Sequence, residues 1–195
     1  MEIIKGISYM DMLHRWALGE AKSKRFINPS AKQNLILLNS KNPNEVLEGI
    51  NNQLNPRAVL INNLPLDTKW YLVFMPINEV EFLKVFTIKA SDWDRFTNET
   101  YKLSDAVNYL IKNPKESEKI TYGFKKVPKI DDAFQIGITF LTKSIYGPFT
   151  VIEGNSRMVN LYYHYIIKKR LPDIERVELV VGITEKKYIF SYIHN

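Results

Sequence analysis

Apolar positions change their spacing several times along the chain, and each change marks an element. Between residues 8 and 21, Met12, Leu13, Trp16 and Ala17 recur three and four apart, the stripe of an amphipathic helix, with Ser8 placed as its N-cap. Residues 44–54 read as a second helix closed by Asn55-Pro56, whereas Leu35-Ile36-Leu37-Leu38 within 31–39 suits a strand or a helix equally. Residues 70–76 and 82–88 are rich in β-branched and aromatic residues and read as strands, with 77–81 as the turn between them. A helix is predicted from Ser91, with Ser91 as cap and Asp92 and Asp94 in its first turn; two positions apart, these carboxylates do not face each other as an acid pair. Another helix spans 104–113 and stops at Pro114, followed by a charged surface loop over 115–119. Strands follow over 136–141 and 149–153, then a helix over 156–170 with Met158, Leu161, Tyr162, Tyr165 and Ile166 on one face. Strands over 177–183 and 188–193 complete the pattern. Strand 149–153, a Gly turn, the helix and strand 177–183 predict a βαβ unit whose second strand returns parallel to the first. The fold class is α/β (or α+β), a mixed sheet with flanking helices, in one domain over 1–195. Its N-terminal helical part covers about residues 1–60 and its core about residues 70–193.

The junction at Glu153-Gly154-Asn155-Ser156-Arg157 carries the candidate chemistry. A strand that turns tightly into a helix leaves the first N–H groups of that helix aimed at one spot of partial positive charge. Asn155 and Ser156 are N-cap residue types, Gly154 would let a ligand approach the backbone, and Arg157 offers a forked donor for phosphate or carboxylate. A capped helix with Arg157 in an ordinary ion pair explains the same residues, and both readings stand.

The order Phe149-Thr150-Val151-Ile152-Glu153-Gly154-Asn155-Ser156-Arg157, then a helix with a basic end, then a Val-rich strand, resembles the core of the ParB/sulfiredoxin-like superfamily over residues 134–184. The resemblance implies that Gly154, Asn155, Ser156 and Arg157 bind phosphate, with Glu153 beside them. It also implies that an early basic residue, Lys24 or Arg25, faces the turn. The departures are chemical. Sulfiredoxin-type members carry a cysteine in the turn, and this chain has none, so sulfinic-acid reduction through a thiolate is excluded. Serine-kinase members carry histidine between the Gly and the Arg, where this chain has Asn155 and Ser156.

Composition changes the picture little. Net charge is +6, compatible with a nucleotide, another phosphorylated ligand or nucleic acid. Basic clusters fall at Lys22/Lys24/Arg25, Lys125/Lys126/Lys129 and Lys168/Lys169/Arg170, and a solvated face accounts for each. His14, His164 and His194 lack metal-ligand spacing, and no apolar run reaches membrane-spanning length, so we expect no protein-held metal, no membrane and a cytoplasmic location. Two function classes follow. One is a nucleotide- or phosphate-binding enzyme for phosphoryl transfer or phosphoester hydrolysis. In it Glu153 serves as base, or as a ligand of Mg²⁺ arriving with a nucleotide, and Arg157 stabilises charge on phosphorus oxygens. The other is a non-catalytic module that binds nucleic acid or protein.

Overall fold

A computed structural model describes residues 1–22, 30–121 and 124–191. Its elements run β1 (Glu2–Ile7), α1 (Tyr9–Lys22), α2 (Ala31–Leu38), α3 (Pro43–Leu54), a 3₁₀ turn (Asn55–Arg57), α4 (Ala58–Asn62), β2 (Lys69–Pro76), α5 (Glu79–Phe82), β3 (Val85–Phe86) and α6 (Ser91–Thr97). The chain continues through α7 (Leu103–Lys112), α8 (Pro114–Thr121), α9 (Asp132–Gln135), β4 (Thr139–Thr142), β5 (Phe149–Glu153), α10 (Asn155–Leu161), a π-helical stretch (Tyr162–Ile167) and β6 (Arg176–Ile183). The strands form one mixed sheet in the order β1-β2-β6-β4-β5-β3, so the α/β class holds. Alternation along the strands splits the core between two faces. Trp70, Leu72, Leu141, Ile152 and Val180 face Met12, Trp16, Ile50 and Leu54 of α1 and α3. Val73, Met75, Phe140, Val151, Leu179 and Val181 face Leu103, Val107, Leu110, Met158 and Leu161 of α7 and α10.

Several local expectations hold. Ser8 caps α1 reciprocally with Asp11: the Ser8 Oγ accepts from Asp11 N at 3.0 Å while the Asp11 carboxylate accepts from Ser8 N at 3.0 Å. Residues 31–38 resolve as helix, and Asn42 caps α3 by accepting from Asn44 N.

Others are corrected. Residues 82–88 are not one strand: Asn78 caps the short helix α5, and β3 keeps two residues. Pro114 starts α8 instead of opening a loop, because a proline fits the first helical position where no N–H donor is needed. Tyr188–Ser191 form no strand; Tyr188 is buried and donates its hydroxyl to Leu60 O at 3.2 Å, and residues 192–195 lie outside the described residues. The expected parallel return from β5 is also overturned. β4 is antiparallel to β5 and parallel to β6, so β6 runs antiparallel to β5 with β4 between them. The β4–β5 hairpin fills the slot beside β5 that a simple βαβ unit would have left for β6.

Candidate functional site

Two glycines set the site by letting backbones touch. A Cβ on Gly19 would stand 2.6 Å from Ile136 O, and one on Gly137, which has φ +81°, would stand 2.7 Å from Arg15 O. Helix α1 therefore lies directly on the turn that enters β4, and Glu20, next to Gly19, is delivered to the end of β5. Glu153 is the last residue of β5, and Arg157 stands one helical turn further on. The result is a row of alternating charge. Arg57 Nε donates to Glu20 Oε1 at 2.8 Å, the Glu20 carboxyl lies close enough to the Glu153 carboxyl to act on it, and Arg157 Nη2 donates to Glu153 Oε1 at 3.2 Å.

Burial makes this row chemically distinctive. The Glu20 side chain is 5% exposed and those of Glu153 and Arg157 are each 19% exposed, while Arg57 opens to 31%. Burial first, and the neighbouring Glu20 second, push the Glu153 carboxyl up to about 7, against the pull of Arg157 and Arg57. A carboxyl in this setting can hold a proton at neutral pH and release it locally, the property required of a general acid–base group. Asp92, at the start of α6, is close enough to act electrostatically on Arg57.

The residues expected at the turn take different parts. Gly154 adopts φ +96°, and a Cβ there would meet the Ile138 side chain at 3.2 Å. Its role is thus to make a left-handed turn and seat Ile138, and not to admit a ligand from that side. Gly154 itself occupies the N-cap, which corrects the assignment to Asn155 or Ser156. Asn155 is buried: its Oδ1 accepts from Ile88 N at 3.1 Å and its Nδ2 donates to Val151 O at 3.2 Å, fastening the segment after β3 to β5. Ser156 sits half-buried in the first turn of α10. Besides Glu153, Arg157 reaches two backbone carbonyls, with Nη1 donating to Phe134 O at 2.9 Å and Ile136 O at 2.6 Å. Both guanidinium Nη groups are thereby tied to the protein. Lys24 and Arg25 lie outside the described residues.

Asp131 accepts from Phe134 N and caps α9. No group of three or more His, Cys, Asp or Glu side chains able to hold a metal converges among the described residues.

Glu20 and Arg57 were missed as site residues. The signal for Glu20 lay in the helical stripe: it follows Trp16 by four and Ala17 by three, which puts a carboxylate on the apolar face of α1. Arg57 had no such signal, since it follows Pro56 in a short 3₁₀ turn and reaches Glu20 through tertiary packing alone. No protein-family model, curated protein or solved structure matches this chain.

Proposed function

We propose that this chain binds a phosphorylated ligand of the nucleotide class beside the Glu153–Arg157 turn and performs phosphoryl transfer or phosphoester hydrolysis there, in the manner of a ParB/sulfiredoxin-like protein of the cytoplasm. The observation that carries the reading is the Glu20–Glu153 carboxyl pair, buried between Arg57 and Arg157. Ionised Glu153 takes the proton of the attacking hydroxyl or water and passes it to the leaving oxygen, and the neighbouring Glu20 carboxyl raises its basicity. Arg57, the most open member of the row, meets the charge that develops on the phosphoryl oxygens. Mg²⁺, where needed, arrives with the nucleotide.

Calorimetric titration with ADP and ATP, with and without Mg²⁺, tests the binding, and phosphate release or transfer tests the chemistry. Arg57→Ala should weaken binding tenfold or more. Glu153→Gln should retain binding, lose roughly 10²–10⁴ in turnover and lose the rate change centred near pH 7. Failure of every nucleotide and phosphomonoester to bind sinks the proposal. A second reading, a module that binds nucleic acid or protein without catalysis, is favoured by the engagement of Arg157 with Phe134 O, Ile136 O and Glu153, which makes the turn a scaffold. Binding without turnover in the wild type would select it.

A further inference from the structure

Two basic clusters far apart in the sequence are brought onto one surface. The segment after α8 carries Lys125, Lys126 and Lys129, and the chain after the π-helical stretch carries Lys168, Lys169 and Arg170; all six are exposed. Two contacts hold the segments together, and a third shapes the second segment. Phe124 stacks on Tyr163 with ring centroids 4.0 Å apart and planes 18° apart. Tyr165 Oη donates to Pro128 O at 3.0 Å. Arg170 N donates to His164 O at 3.1 Å, folding the basic end back over the π-helical stretch. Lys168 Nζ then sits 5.5 Å from the Tyr163 ring centroid, on the aromatic pair that joins the two segments.

Among the described residues, Lys125 is the one of these six cations held in an ion pair. Glu118 pairs with Lys125 across two exposed side chains, and Asp173 stands near Tyr165. Six cations on one surface exceed what a single phosphate group engages, but they suit a polymer that carries one phosphate per nucleotide. Val127, Ile167 and Leu171 are also exposed here, so an anionic lipid surface competes as a partner. The cations, however, come from two irregular segments around an aromatic stack, not from one face of a long amphipathic helix, and this favours a strand over a bilayer.

We propose that the surface formed by Lys125, Lys126, Lys129, Lys168, Lys169 and Arg170 is a nucleic-acid backbone site, separate from the Glu20–Glu153 pair. Binding there is driven by phosphate contacts and tolerates any base sequence.

The test is fluorescence anisotropy of the full chain with labelled 20-nucleotide RNA, single-stranded DNA and duplex DNA, titrated at several salt concentrations, with co-sedimentation on phosphatidylserine vesicles run beside it. If all six cations meet phosphates on a single strand, log K falls against log salt with a slope of about −4, and each triple-Ala variant (125/126/129 or 168/169/170) cuts it to about −2. Each variant should also bind at least tenfold more weakly at low salt. A control, Lys32→Ala with Lys41→Ala and Lys69→Ala, removes the same charge from other exposed positions and should change little. Glu20→Gln should leave strand binding unchanged, which keeps this outcome distinct from that of the acid pair. Thermal melting verifies that each variant folds. No binding, equal loss in the control, or binding confined to phosphatidylserine vesicles would overturn the proposal.

Discussion

Replacing Arg157 by Ala separates an arginine that waits for a ligand from one that holds the fold. The side chain is 19% exposed and makes three hydrogen bonds, to Phe134 O, Ile136 O and Glu153 Oε1. Truncation leaves two carbonyls without these donors and a buried acid pair without one of its two cations. An unsatisfied buried polar group costs about 1–3 kcal/mol, and breaking a buried ion pair from one side costs about 3–5 kcal/mol. These contributions overlap, because the same guanidinium serves all three acceptors and the acid can respond by keeping its proton. A loss of about 3–5 kcal/mol follows, against a total stability of about 5–15 kcal/mol for a typical domain. The assay is urea unfolding at pH 7, with the slope m compared between variants so that a change in midpoint reads as a change in stability. Arg157→Lys should recover a minority of the loss, since a point charge cannot span the two carbonyls and the carboxylate together. A loss below about 1 kcal/mol at unchanged m would refute the reasoning and return Arg157 to the role of a spare anion-binding group.

Two further outcomes test the packing around the site and beneath the basic surface. His164 is 1% exposed, and burial first, with Arg170 second, holds its pKa below the usual 6.5 against a smaller opposing interaction with the Lys126 backbone. The unfolded chain therefore takes up a proton near pH 6.5 that the folded chain refuses, so stability falls as pH drops below about 6.5; in His164→Phe this part of the acid slope should vanish in unfolding experiments at stepped pH. Gly137→Ala combines φ +81° with a Cβ 2.7 Å from Arg15 O, so it should cost more than the 1–2 kcal/mol of an ordinary left-handed substitution and, by lifting α1, uncouple Glu20 from Glu153. Carbon-detected titration of the Glu153 carboxyl would then show its pKa moving down from about 7, and an unchanged value would refute the link between the glycine contact and the acid pair.

Elements whose signals are local were legible in the sequence. The Ser8–Asp11 cap and the Met12–Leu13–Trp16–Ala17 stripe locate α1, and the run from Phe149 through Gly154 into Arg157 locates β5, its turn and α10. Where two local signals compete, the reading failed. Val85 and Phe86 look like the middle of a long strand, yet Asn78 caps a helix just before them and the strand shrinks to two residues. The candidate site was half legible for the same reason. Glu153 and Arg157 lie on one contiguous motif, whereas Glu20 joins them through the Gly19–Gly137 contact and Arg57 through its bond to Glu20, and no periodicity encodes either meeting. Asn155 shows the converse: its residue type suits a cap, but burial turns both ends of its amide to Ile88 and Val151.

The place of β6 in the sheet has a consequence for how the chain is made. Among the described strands, β6 alone joins the β1–β2 pair to the β4–β5–β3 group, and its partners on β2 lie about a hundred residues earlier in the chain. Until the ribosome releases residues 176–183, the β2 and β4 edges that flank β6 in the finished sheet have no strand between them. Any half-sheet of β1 with β2, or of β4 with β5 and β3, that forms earlier keeps one open edge until β6 pairs with it. Pairings of such long reach form slowly and leave unpaired edges open to wrong partners. A chaperone that shields strand edges would therefore matter most in the interval before β6 emerges.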